Sequence, residues 1–96
     1  MESESSGQQQ DKQLTGLALY YFPACPYCVM VLRVIKDMDL EIELRNIFTD
    51  SSWRLELIEE GGRSTVPCLR IEHDSAVFEW LYESHDIIHY LREQYS

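Results

Sequence analysis

Cys25-Pro26-Tyr27-Cys28 constrains this chain more than any other stretch, because it sets two thiols at the spacing of a redox pair where a strand gives way to a helix. Leu17-Ala18-Leu19-Tyr20-Tyr21 before it is short, apolar and aromatic, as a buried strand should be. After it, Val29, Leu32, Val34, Ile35 and Met38 suit one broad helical face. Proline has no backbone N–H to lose at the first helical position, so Pro26 at that position makes Cys25 the N-cap and Cys28 the third helical residue. An N-cap side chain faces the unpaired N–H groups of the first turn and the positive end of the helix dipole. A thiolate is therefore favoured at Cys25, while Cys28, one turn inside, is expected to be more buried.

The 96 residues suit one small domain, and 45% hydrophobic residues suffice for one modest core. Residues 1–13 are rich in Glu, Ser and Gln and lack apolar residues after Met1, so they are expected to form a disordered tail ahead of a domain over 14–96. No run approaches the length of a membrane span, and the N-terminus lacks a signal-peptide pattern. A cytoplasmic protein without membrane association is expected, and a monomer. Asp and Glu number 17 against 8 Lys and Arg, a net charge of −9, and the scattered cations argue against a nucleic-acid partner.

Leu40 to Ile47 alternates Glu41, Glu43 and Arg45 with Ile42, Leu44 and Asn46, which predicts a half-buried strand with the aliphatic set inward. Asp50 or Ser51 caps a second predicted helix through about Glu60, with Trp53, Leu57, Leu55 and Ile58 as its inward candidates and Gly61-Gly62 as its stop. Strands over Cys68 to Ile71 and Ala76 to Tyr82 follow, joined by a turn around Glu72-His73-Asp74-Ser75. Ser84 has N-cap character for a last helix with Ile87, Ile88 and Leu91 as its core stripe. The order β-α-β-α-β-β-α implies a parallel first pair, a final antiparallel hairpin and helices on both faces of a four-stranded mixed sheet, a three-layer α/β sandwich.

Cys25-Pro26-Tyr27-Cys28, then Gly62-Arg63-Ser64-Thr65-Val66-Pro67 about forty residues later, then Tyr82-Glu83-Ser84 leading into Asp86-Ile87-Ile88, together resemble a glutaredoxin of the thioredoxin superfamily. The resemblance implies a thioredoxin-like fold with Pro67 cis beside the nucleophile. It also implies that the backbone of Val66 pairs with the cysteinyl part of bound glutathione. Two departures stand out. Many members carry a lysine three residues before the first cysteine, where this chain has Phe22. Glu83-Ser84 replaces the usual glycine and acidic pairs before the last helix, and resembles the Glu/Gln-Ser pair with which the N-terminal domain of glutathione transferases grips the γ-glutamyl group.

The activity implied is glutathione-dependent thiol-disulfide exchange on glutathionylated or disulfide-bonded proteins, with Cys25 as nucleophile, Cys28 as resolving thiol and glutathione as co-substrate. Tyr27, Thr65, Val66, Pro67, Glu83 and Ser84 are the candidate glutathione contacts. Arg54 and Arg63 either meet the glycyl carboxylate or are simply solvated. Ser84 as a cap needs no ligand, whereas a carboxylate at Glu83 is explained by a ligand ammonium. Cys68, one residue past Pro67 in a predicted strand, reads as a small buried thiol or as a regulatory one. His85 and His89, four apart, have no third ligand, so both read as solvent-exposed and no metal is expected. The rival readings are an iron–sulfur cluster carrier using Cys25 and glutathione, a thioredoxin-like reductant, and a non-catalytic glutathione-binding module.

Overall fold

The computed structural model describes residues 13–73 and 77–95. Strand β1 (Gln13–Tyr21) leads through the cysteine turn into α1 (Pro26–Asp37). Next come β2 (Glu41–Asn46), α2 (Ser51–Glu56) with a π-type turn over Leu57–Gly61, β3 (Cys68–Glu72), β4 (Phe78–Leu81) and α3 (Ser84–Tyr95). The expected order is present. Gln13, expected to close the tail, instead opens β1 opposite Glu41. The rest of the predicted tail lies outside the described residues, as do Asp74 and Ser75 of the predicted turn and Ala76 of the predicted fourth strand. Among the described residues no helix is long and apolar enough to cross a membrane.

The sheet runs β2-β1-β3-β4, with β1 parallel to β2 and antiparallel to β3, and β3 antiparallel to β4. Strand alternation then sorts the core into two layers. Leu17, Leu19, Leu69 and Ile71 face α1 and α3, where Val31, Ile35, Ile87 and Leu91 meet them. Tyr20 and Cys68 face the other way, toward Leu57, Trp53, Trp80 and Tyr82. The result is the three-layer, thioredoxin-like sandwich. Fully burying a leucine such as Leu19, Leu57 or Leu69 contributes about 1.5–3 kcal/mol, so each helix is fixed to its face by a few such contacts.

Helix α1 ends where Asp39 takes a left-handed conformation (φ 58°), its N–H bonding the Lys36 carbonyl at 3.0 Å while Leu40 N–H reaches the Ile35 carbonyl at 3.0 Å. The inward stripe of α1 is Cys28, Val31, Val34 and Ile35, with Leu32 and Met38 at its margin. Val29, expected inside, is 41% exposed, because the run Val29 to Leu32 is apolar on every side and packing against α3 selects the Val31 side. In α2, Asp50 is the N-cap, accepting from Ser52 N–H at 3.0 Å. Trp53 and Leu57, one turn apart, face the sheet; Leu55 and Ile58, expected inward, project away from it and are exposed.

Strand β2 departs most from the expected pattern. Ile42 is buried, but Leu44 is 47% exposed and Arg45 only 8% exposed. Arg45 pairs in register with Tyr20 and shares its face. A buried tyrosine hydroxyl needs partners. The Arg45 guanidinium supplies one, with Nη1 donating to Tyr20 Oη at 2.7 Å and to Glu56 Oε1 at 2.7 Å. Its Nε and Nη2 donate to Glu43 at 3.0 and 3.2 Å, and its carbon lies 4.4 Å from the Trp53 ring centroid. The Tyr20 hydroxyl donates to Glu56. Polar complementarity across to α2 thus overrides the aliphatic alternation.

Candidate active site

The turn between β1 and α1 is closed by Cys25 N–H bonding to the Phe22 carbonyl at 3.0 Å, and Val29 N–H makes the first helical bond to the Cys25 carbonyl at 3.0 Å. Cys25 has extended backbone angles (φ −81°, ψ 123°) with Pro26 directly after it, the N-cap geometry expected. It is partly exposed, while Cys28 is fully buried. The Cys28 thiol is pushed up to about 12, chiefly by burial and further by the neighbouring Cys25, against the opposing effect of Phe22 N–H, which donates to its Sγ at 3.4 Å. At neutral pH Cys28 therefore keeps its proton.

A groove of about 440 Å³ lies beside this turn, between the loop that precedes β3 and the start of α3. Seven candidates line it: Tyr27, Thr65, Val66, Pro67, Glu83, Ser84 and Arg63. The Val66–Pro67 peptide bond is cis. Arg54 is exposed on α2 and is not among the lining residues. Ser84 is not the cap. Ile87 N–H bonds to the Glu83 carbonyl at 2.9 Å, so Glu83 holds the N-cap position and Ser84, 7% exposed, is the first helical residue.

Two lining residues, Tyr82 and His85, are absent from the candidates drawn from sequence. Tyr82 belongs with Trp80 on the α2 side of the sheet, so the alternation of β4, continued one residue past its end, would have found it. Its hydroxyl donates to the Arg63 carbonyl at 3.3 Å, and the Arg63 guanidinium lies 4.7 Å from its ring centroid. Burial pushes the Cys68 thiol, on the same face, up to about 12, with Tyr82 and Arg63 opposing. His85 is exposed and follows Ser84 directly, whereas His89 turns to Glu93 at 3.8 Å. Among the described residues no three His, Cys, Asp or Glu side chains come together as a metal site would require.

The site can therefore perform nucleophilic exchange at a partly exposed thiol, backed by a second protonated thiol and flanked by a polar groove. Known structures share this frame. The thioredoxin-like protein BC3987 superposes with a TM-score of 0.65 at 22% identity, over 80% of this chain and 96% of that one. A maleylacetoacetate isomerase from Anaeromyxobacter dehalogenans 2CP-1, crystallised with glutathione in its active site, gives 0.62 at 22% identity, over 82% of this chain and 37% of its own. A delta-class glutathione transferase from Nilaparvata lugens gives 0.63 at 30% identity, over 83% and 36%. The chain thus spans little more than a third of those two enzymes. No curated protein sequence matches it significantly. The glutaredoxin profile, in contrast, matches residues 17–75, a stretch running from β1 through the cysteine-bearing helix and the Val66–Pro67 loop to the hairpin after β3. By that match over more than half its length, the chain belongs to the glutaredoxin family of thiol oxidoreductases.

Proposed function

We propose that this protein is a glutathione-dependent oxidoreductase that reduces glutathione mixed disulfides and protein disulfides. The observation that carries the reading is the pairing of a partly exposed Cys25 at a helix N-terminus with a groove walled by Val66–Pro67 on one side and Glu83–Ser84 on the other. The isomerase relative with glutathione in its active site supports a glutathione groove on this frame.

In the first step the Cys25 thiolate attacks the glutathionyl sulfur of a mixed disulfide, forming a Cys25–glutathione disulfide and expelling the substrate thiolate. A second glutathione thiolate then attacks the glutathionyl sulfur, releasing oxidised glutathione and the Cys25 thiolate, so the net exchange consumes one glutathione thiol, frees the substrate thiol and carries the disulfide bond away as oxidised glutathione. The backbone of Val66 is assigned to the cysteinyl part of glutathione, Glu83 to its ammonium, Ser84 to its γ-glutamyl carboxylate and Arg63 to its glycyl carboxylate. With a protein disulfide, Cys28 resolves the mixed disulfide on Cys25. The like charge at Cys25 that helps hold the Cys28 proton is absent once Cys25 is in a disulfide, so Cys28 ionises more readily when its attack is required. The proposal includes a monomer acting in the cytoplasm, where the dithiol is kept reduced.

Turnover of a glutathionylated peptide with glutathione tests this reading. Cys25→Ser should abolish it, while Cys28→Ser should retain most of it and lose reduction of protein disulfides by the dithiol route. Equal loss in both variants would overturn the mechanism.

A further inference from the structure

A second groove, of about 380 Å³, runs between α1 and α3 and meets the first at His85, which lines both. Its apolar surface is Val29, Met30, Val34 and Ile88. Val29 and Met30 are each 41% exposed, on a helix whose opposite side is packed into the core. Arg33, Arg92 and His85 complete the lining, with no Asp or Glu among them. That is a local reversal of sign in a chain of net charge −9. Residues four apart on a helix lie one above another, so Cys25, Val29 and Arg33 form one stripe leading away from the nucleophile. At about 1.5 Å per residue, Val29 stands about 6 Å and Arg33 about 12 Å along the axis from Cys25.

We infer that this groove receives the protein half of the mixed disulfide, as an extended acidic-apolar segment lying along α1. An extended chain advances about 3.3 Å per residue, so an apolar side chain about two positions from the substrate cysteine meets Val29, and a carboxylate about four positions away meets Arg33. The inference rests on the proposed function: with glutathione in the first groove, attack of the Cys25 thiolate transfers glutathione to Cys25 and leaves the peptide thiolate to depart along the second. Charge complementarity selects the occupant, since a basic segment would find no carboxylate in the lining.

The test uses the full chain and synthetic glutathionylated peptides carrying Leu two positions and Glu four positions from the cysteine, on its N-terminal or C-terminal side. In the orientation the groove accepts, replacing Leu by Ser should lower kcat/KM about tenfold, as loss of a small apolar contact does. Replacing Glu by Lys should lower it about threefold at low salt, the size of an exposed ion pair, and the difference should vanish at high salt. Arg33→Glu should invert the preference between Glu and Lys, and Val29→Ser should flatten that between Leu and Ser. The mixed disulfide of glutathione with β-mercaptoethanol is too short to reach Val29, so all three proteins should turn it over alike. Failure of that small substrate in the unaltered protein would refute the proposed function. Its turnover without any peptide preference, or a preference that Arg33→Glu leaves unchanged in both orientations, would overturn this inference alone. A concentration-dependent dimer that Val29→Ser dissolves would also overturn it, by showing a second copy in the groove.

Discussion

Tyr82 holds Arg63 twice, through a hydroxyl bond to its carbonyl at 3.3 Å and through a ring lying 4.7 Å from its guanidinium carbon. One side chain at the end of β4 thereby fixes both the backbone of the loop before β3 and the cation that loop presents to the groove. It also directly precedes Glu83, so both walls of the groove are tied to one position. Tyr82→Phe removes the bond and keeps the ring, and should raise the KM for glutathione about threefold, the worth of one hydrogen bond. Tyr82→Leu removes both and should raise it about tenfold. Steady-state kinetics at saturating glutathione should show kcat little changed. A fall in kcat with KM intact would mean that Tyr82 acts on the thiols and not on the groove.

Gly61, at the end of the second helical segment, lies against Trp80 of β4 and Tyr82 just after it. A Cβ there would press on the Tyr82 hydroxyl and come within 2.8 Å of Trp80 Cε3. Gly61→Ala should destabilise the fold by about 1–3 kcal/mol, the usual cost of overpacking. Adding Tyr82→Phe should recover part of that loss, because one of the two clashes is removed. Urea unfolding of the single and double variants decides, and strict additivity would contradict the contact.

Arg45 joins three elements, reaching Tyr20 on β1, Glu43 on its own strand and Glu56 on α2. Arg45→Met leaves Glu56 with the Tyr20 hydroxyl alone, and should cost about 3 kcal/mol, the low end for a broken buried pair, since Glu56 remains a quarter exposed. Arg45→Lys should rescue little, because an ammonium cannot reproduce the forked contact to Glu43 or the stacking on Trp53. Thermal unfolding would show this. A lysine variant as stable as the parent would reduce the network to a simple charge effect.

These contacts mark where the sequence is readable and where it is not. Pro26 is decisive on its own, because proline at the first helical position sets the register, and Cys25 holds the N-cap position of α1 as that register requires, with no capping bond from its side chain. The element order follows from punctuation by Gly62, which is left-handed at φ 90°, and from runs whose periods differ. Side-chain direction is less legible wherever local pattern is ambiguous. Val29 to Leu32 offers no polar residue to mark an outer face, so only the packing partner decides. In β2 the outward-looking charge at Arg45 is turned inward by a partner eleven residues away and another twenty-five residues back. The groove is legible in two motifs that line it, Thr65 to Pro67 and Glu83-Ser84. The alternation of β4 places Tyr82 on the α2 side with Trp80, but its hold on Arg63, a contact across the fold, is not legible.

The three cysteines differ enough in environment for chemistry to tell them apart. Cys25 is partly exposed, while Cys28 and Cys68 are both fully buried and both pushed up to about 12. Iodoacetamide at neutral pH should therefore label Cys25 alone in the native protein and all three thiols after unfolding. Stability should carry the same signature. In the unfolded chain a cysteine ionises near its ordinary value of 9.0, whereas the folded thiols hold their protons to about 12. The stability they confer is thus complete below about pH 9 and is lost as pH rises toward 12, at up to about 1.4 kcal/mol per pH unit for each thiol. Cys68→Ala removes one of the two titrations, so its unfolding free energy should fall less steeply than the parent's between about pH 9 and pH 11, even though it begins lower for want of the buried side chain. Parallel curves for the two proteins, or rapid native labelling of Cys68, would show that this thiol is reachable by water and that the β3 side of the groove is open.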